Sequence, residues 1–219
     1  MVSSNFGKLL IQRKWFIAQV YAILVIQLAI TFIITKFLRN NQPIYKFAMK
    51  FFIPLLIIPF IIIFVFPYCP YNVKFLLFCL FSFTFGILSI GASRYVSDEL
   101  IKVALLSTIG IFIGMMIVGL ALASIGINLT FMGFILISIL LALIIVQFVL
   151  IFVPVSSQVR KYIATFVVIL FSMFVAFDTN RMLQKNYNLD ALDTAMEFYL
   201  DFENLFQNFI QIGLNQNGG

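Results

Sequence analysis

Histidine is missing from all 219 residues, and Asp and Glu together number only eight. Without an imidazole there is no histidine-based nucleophilic catalysis and no His-ligated zinc. The two cysteines, Cys69 and Cys79, form neither a CxxC pair nor a disulfide framework, and read as buried thiols beside and within apolar chain. There is no glycine-rich phosphate loop and no Gly-x-Ser-x-Gly elbow. Long polar stretches are lacking too. The two longest, the first twelve residues and the run from Gln184 to Asp193, are too short to fold alone, so no separate soluble domain is expected.

Apolar residues are present in excess. Hydrophobic residues make up 63% of the chain, 28 of them Phe, against 10% charged, which is more apolar surface than a soluble chain of this length can hide. The chain reads as an all-α, multi-pass membrane protein, a single transmembrane bundle over 1–219. Its spans are expected at about 15–37, 51–66, 75–93, 103–123, 131–152, 162–183 and 194–214, each but the second close to the roughly 20 residues a bilayer core requires. The first lies behind Lys8, Arg13 and Lys14; it is longer than a signal-peptide core and reads as a retained span. Pro54 and Pro59 predict a bend in the second. Gly110-Ile-Phe-Ile-Gly114 in the fourth is a small-xxx-small face on which a neighbouring helix is expected to pack.

Lys and Arg outnumber acids by 14 to 8, a net charge of +6. With the N-terminus inside, seven spans put Lys8, Arg13, Lys14, Lys74, Arg181 and Lys185 on the inner side. The larger share, Lys36, Arg39, Lys46, Lys50, Arg94, Lys102, Arg160 and Lys161, then falls outside, so the positive-inside rule leans slightly against that orientation. Lipid headgroups are the expected partner of these loops, and no basic run is dense enough for nucleic acid.

The acids that fall inside apolar chain carry the functional signal. Asp178 ends Phe171-Ser-Met-Phe-Val-Ala-Phe177, and Asp201 sits in Tyr199-Leu-Asp-Phe-Glu-Asn-Leu-Phe206. A carboxylate at membrane depth is costly, and its default reading is a functional site. With helix ends near Leu183 and Thr194, Asp178 lies roughly 7 Å before the turn and Asp201 roughly 10 Å beyond it, at similar depth on antiparallel neighbours. Around Asp201, the residues Glu197, Asn204, Asn208 and Gln211 recur at spacings of four, three, four and three, giving one polar helical face. Two settings fit that face: a cavity in the centre of a bundle, or a helix lying in the headgroup region.

Phe171-Ser172-Met173-Phe174, Phe177-Asp178-Thr179, Tyr199-Leu200-Asp201 and Asn204-Leu205-Phe206 resemble the C-terminal signature of the Bax inhibitor family, which includes the lifeguard and Golgi anti-apoptotic proteins. Val20-Tyr21, Ile23-Leu24, Gln27-Leu28 and Thr31 are similar to its opening pattern, and Asn128-Leu129-Thr130 with Gly133 to its Asp-Phe-Thr-x-x-Gly turn. The resemblance implies a seven-helix bundle with the C-terminal helix central and the N-terminus in the cytosol. The membrane implied is the endoplasmic reticulum or Golgi in a eukaryotic or viral setting and the plasma membrane in a bacterial one. It implies a pH-sensitive calcium leak linked to suppression of apoptosis, with no cofactor and with calcium as the permeant ion. Asp178 and Asp201 would be pH sensor, pore constriction and transient calcium ligands, and apoptosis-regulatory membrane proteins would be partners. The chain departs from the family in having no latch arginine between Phe51 and Pro70, where some members carry one. Arg181, one turn past Asp178, is the local candidate partner, with a snorkelling arginine as the other reading. An intramembrane aspartyl protease and a non-conducting regulator of proteins or lipids stay open beside the leak.

Overall fold

The computed structural model describes residues 2–184 and 187–215, without the side chains of residues 2–6, Ala92 and Ile151. Lys185 and the end of the tail, 216–219, lie outside it. Among the described residues there are eight α-helices and no strand: α1 Val2–Leu38, α2 Gln42–Lys50, α3 Phe52–Val65, α4 Tyr71–Ser93, α5 Asp98–Ser124, α6 Met132–Phe152, α7 Ser157–Met182 and α8 Ala191–Leu214. A short 3-10 turn, Phe66–Tyr68, follows α3.

Among the described residues five helices are long and apolar enough to cross a bilayer, α1, α4, α5, α6 and α7, and a sixth span arises if α2 and α3 count as one. That is one or two short of the seven spans expected from sequence. Helix α8 falls out because Glu197, Asp201 and Glu203 enter every 18-residue stretch of it. The second expected span also differs from its reading. The chain bends by 72° where α2 meets α3, at Phe51, and not at a proline. Pro54 sits in the first turn of α3, where a missing N–H removes no helical bond, and α3 runs on through Pro59.

The chain divides into two compact units. The first comprises 1–14, 98–188 and 200–219. Here α7 is the buried element, with Val167, Leu170, Val175 and Phe177 in the core together with Phe112 of α5 and Leu136 of α6. Helix α5 comes so close to α7 that a Cβ on Gly119 would lie 2.5 Å from the carbonyl oxygen of Ala176, while Gly133 faces the ring of Phe177. A Cβ on Gly110 or Gly114 would meet nothing within 4 Å, so the close approach expected on their face is not made there; it falls at Gly119, on the opposite side of α5.

The second unit comprises 15–97 and 189–199. Tyr199 is fully buried, edge-on to Phe78, Phe81 and Phe85 of α4, and its hydroxyl lies 2.6 Å from that of Thr31 on α1. Ser82 donates to Gln27 Oε1 at 2.8 Å in the same interior. Buried polar side chains in an apolar bundle must be paired in this way, because lipid and core offer no water to satisfy them.

Candidate functional site

The first unit holds both acids that the sequence singles out. Asp178 lies near the end of α7 with 6% of its surface exposed, and Asp201 lies on α8 with 3% exposed. Arg181, one turn after Asp178, places Nη2 3.2 Å from Asp178 Oδ1. Its guanidinium lies over the rings of Phe177 and Tyr187, at 5.2 and 5.7 Å. Asp178 thus carries a counter-charge on its own helix, one that geometry at i, i+3 makes available.

Helix ends differ from the expected ones, which changes the depth estimate. With α7 ending at Met182 and α8 starting at Ala191, Asp178 lies about 6 Å before one end and Asp201 about 15 Å past the other, at about 1.5 Å per residue. The equal-depth estimate rested on α8 beginning at Thr194. It begins earlier because Asp190 and Asp193 form a reciprocal cap. Asp190 Oδ1 accepts the N–H groups of Leu192 and Asp193, both at 2.9 Å, and Asp193 Oδ2 accepts the N–H of Asp190 at 3.4 Å. An acid at the cap position followed by an acid three residues later is a legible start signal.

The polar face of α8 is graded in exposure. Glu197, Asn204 and Asn208 are half-buried and Gln211 is exposed. The amide nitrogens of Asn204 and Asn208 donate back to the helix, to the carbonyls of Leu200 and Asn204, each at 2.8 Å. Glu203 escaped the sequence reading. It falls off the four–three stripe, two residues after Asp201, yet it is only 4% exposed, with Gln207 as its hydrogen-bond partner. No group of three or more Cys, Asp or Glu among the described residues is arranged to hold a metal ion. A calcium ion visiting Asp178 and Asp201 would complete its about six to eight oxygen ligands from water and amide or backbone carbonyls.

Two further residues hold the α7 end in place. Asn180, fully buried, accepts from the N–H of Leu129 at 2.9 Å and donates to the carbonyl of Ile127 at 2.9 Å, tying the α5–α6 connection to α7. Arg13, counted by sequence as a flanking charge, donates to the carbonyls of Met182 and, at 2.8 Å, Gln184. A cation on the last carbonyls of a helix satisfies orphan acceptors and suits the helix dipole. Arg13→Ala is expected to destabilise the α7 terminus by about 1–2 kcal/mol, read as faster amide hydrogen exchange over residues 180–184 with α4 unchanged.

Compared with known families, the chain matches over residues 13–219 the family described as inhibitor of apoptosis-promoting Bax1. The chain belongs to the Bax inhibitor family. No curated protein gives a significant match. As a Bax inhibitor family member with five or six apolar helices able to span a bilayer, it is a multi-pass integral membrane protein.

Proposed function

We propose that this Bax inhibitor family protein is a pH-sensitive cation leak, with calcium the permeant ion, and that it acts to suppress apoptosis. The observation that supports this reading is the burial of Asp178 and Asp201, to 6% and 3% exposure, on two helices of one compact unit. Acids in such a setting are costly and persist where they do something. Ionised, two neighbouring carboxylates repel and offer oxygen ligands to a hard cation. Protonated, they share a hydrogen bond and draw α7 and α8 together. Acid would close the path and neutral pH would open it. Arg181 sets the charge balance of the pair, being ion-paired to Asp178.

Calcium flux into liposomes holding the purified chain tests this. The expected result is a leak at pH 7 to 8 that falls at least about tenfold by pH 5, and a leak insensitive to pH in Asp201→Asn. A wild-type leak whose pH profile survives Asp178→Asn and Asp201→Asn unchanged would falsify the assignment. Proximity has its own test, in a background with Cys69 and Cys79 replaced by Ala: Asp178→Cys with Asp201→Cys should form a disulfide under mild oxidation. The second reading, a non-conducting regulator binding proteins or lipids, is favoured instead if cell-death protection persists with both acids changed to Asn. It too draws on the family description.

A further inference from the structure

One end of the second unit is strongly basic. Lys36 and Arg39 close α1, Lys46 and Lys50 lie on α2, and Arg94 follows α4, while the sequence contains no Asp or Glu before Asp98.

Helix α2 divides its faces. Gln42, Lys46 and Lys50 recur every four residues along one side, and both lysines are exposed. Ile44, Phe47 and Ala48 occupy the other. Ala48 is buried in a cluster with Leu55 and Ile87, and the rings of Phe47 and Phe51 lie 4.9 Å apart. The helix is fixed at its start: Asn41 Oδ1 accepts the N–H of Ile44 at 3.2 Å, and Pro43 enters the first turn. Arg94 is fixed as well. It donates to the carbonyl of Arg39 at 3.3 Å and lies over the ring of Tyr45 at 4.6 Å, and the Tyr45 hydroxyl lies 3.0 Å from that of Tyr95.

Lysines on one face, Phe47 on the other and Tyr45 within the helix are the make-up of a helix lying in the plane of the headgroups. The 72° bend away from α3 gives α2 a course of its own. We infer that α2, with the ends of α1 and α4, is a site selective for anionic phospholipid, its phosphate held by Lys46 and Lys50 beside the Tyr45-stacked Arg94. The occupant is a lipid and not a free anion because the lysines stand among exposed apolar side chains, Phe47, Phe51 and Phe52, that acyl chains would cover. A juxtamembrane lysine or arginine facing anionic lipid contributes enough for roughly a fivefold change in binding. The inference does not depend on ion conduction.

Native mass spectrometry of the full chain, released from mixed micelles with equal phosphatidylglycerol and phosphatidylcholine, reads the preference directly. The wild type is expected to retain phosphatidylglycerol. Lys46→Gln with Lys50→Gln should lower that retention by about tenfold or more, with phosphatidylcholine retention unchanged. Both lysines are exposed, so an unchanged thermal midpoint confirms that the variant is folded. Arg160→Gln with Lys161→Gln, which alters charge elsewhere, should leave the preference intact. Equal retention of both lipids by the wild type overturns the inference, as does an equal loss in the Arg160 and Lys161 variant. Competition by inorganic phosphate would show an adventitious anion site and overturn it as well.

Discussion

Lys74→Ala is expected to lower the thermal midpoint of the purified protein, in one detergent, by roughly 5–10 °C, the shift that about 3 kcal/mol produces in a chain of this size. Lys74 was counted by sequence as a loop charge facing headgroups. It lies instead in the first turn of α4 with 5% exposed, its ammonium 2.8 Å from Asp190 Oδ2 and 2.6 Å from Asp193 Oδ1. Removing the ammonium leaves two carboxylates together, Asp193 only 14% exposed, with no cation between them. Breaking one partner from such a group costs more than replacing the group entirely. Lys74→Leu combined with Asp190→Asn and Asp193→Asn should therefore recover most of the loss, since Asn still caps α8.

The clamp also has a definite pH dependence. Burial pushes the Asp190 carboxyl up, but hydrogen bonds from Lys74 and from the N–H groups of Asp193 and Leu192 outweigh it and hold the group below its usual value of 3.8. A carboxyl depressed on folding contributes stability that is whole above its unfolded value and lost only as pH falls through the lower, folded one. The midpoint difference between wild type and the uncharged Lys74→Leu, Asp190→Asn, Asp193→Asn variant, in which no clamp acid is left to titrate, should be flat from pH 8 to pH 5. A difference that shrinks across that range would mean the clamp itself titrates where the leak is proposed to close.

What sequence revealed, and what it hid, follows from the range over which each signal acts. Hydrophobic runs place α4, α5, α6 and α7 within five residues at either end, because bilayer-length apolar stretches need no knowledge of neighbours. Helix α2 was missed because nine residues with two lysines lack that signal, and the bend expected from Pro54 and Pro59 is matched by one at Phe51, before both prolines. At the site, Asp178 and Asp201 stood out since acids in apolar chain are anomalous wherever they occur. Asn180, Arg13 and Lys74 did not. Their roles lie in partners 51, 169 and 116 positions away, and polar residues near helix ends look like ordinary flanks until those partners are known. Glycines show the same limit: spacing identified Gly110 and Gly114 as small, but which small residue meets a backbone is decided by the partner helix.

Gly119→Leu is accordingly expected to be the most damaging substitution in α5. A Cβ there falls 2.5 Å from the carbonyl oxygen of Ala176 and 2.9 Å from Cβ of Thr179, and the nearer of these is backbone, which cannot rotate away. Relief requires α5 and α7 to separate. Overpacking of this sort costs typically about 1–3 kcal/mol, and a branched side chain against backbone belongs at or above the upper end. Asn180, whose Nδ2 also reaches the carbonyl of Gly119 at 3.4 Å, would lose that contact as the helices part. Asp178 lies between Ala176 and Asn180 on α7, so the same displacement moves the acid on which the proposed gate depends. Gly119→Ala should show the smaller form of both effects. A Cβ on Gly110 or Gly114 would meet no atom within 4 Å and both positions are exposed, so Gly110→Leu and Gly114→Leu should leave the thermal midpoint within the shift that about 0.5 kcal/mol produces. Thermal unfolding of the four variants in one detergent, paired with calcium flux at pH 7.5, separates packing from site geometry. A Gly119→Leu protein as stable as the Gly110→Leu protein would mean that α5 does not rest on α7 through this glycine.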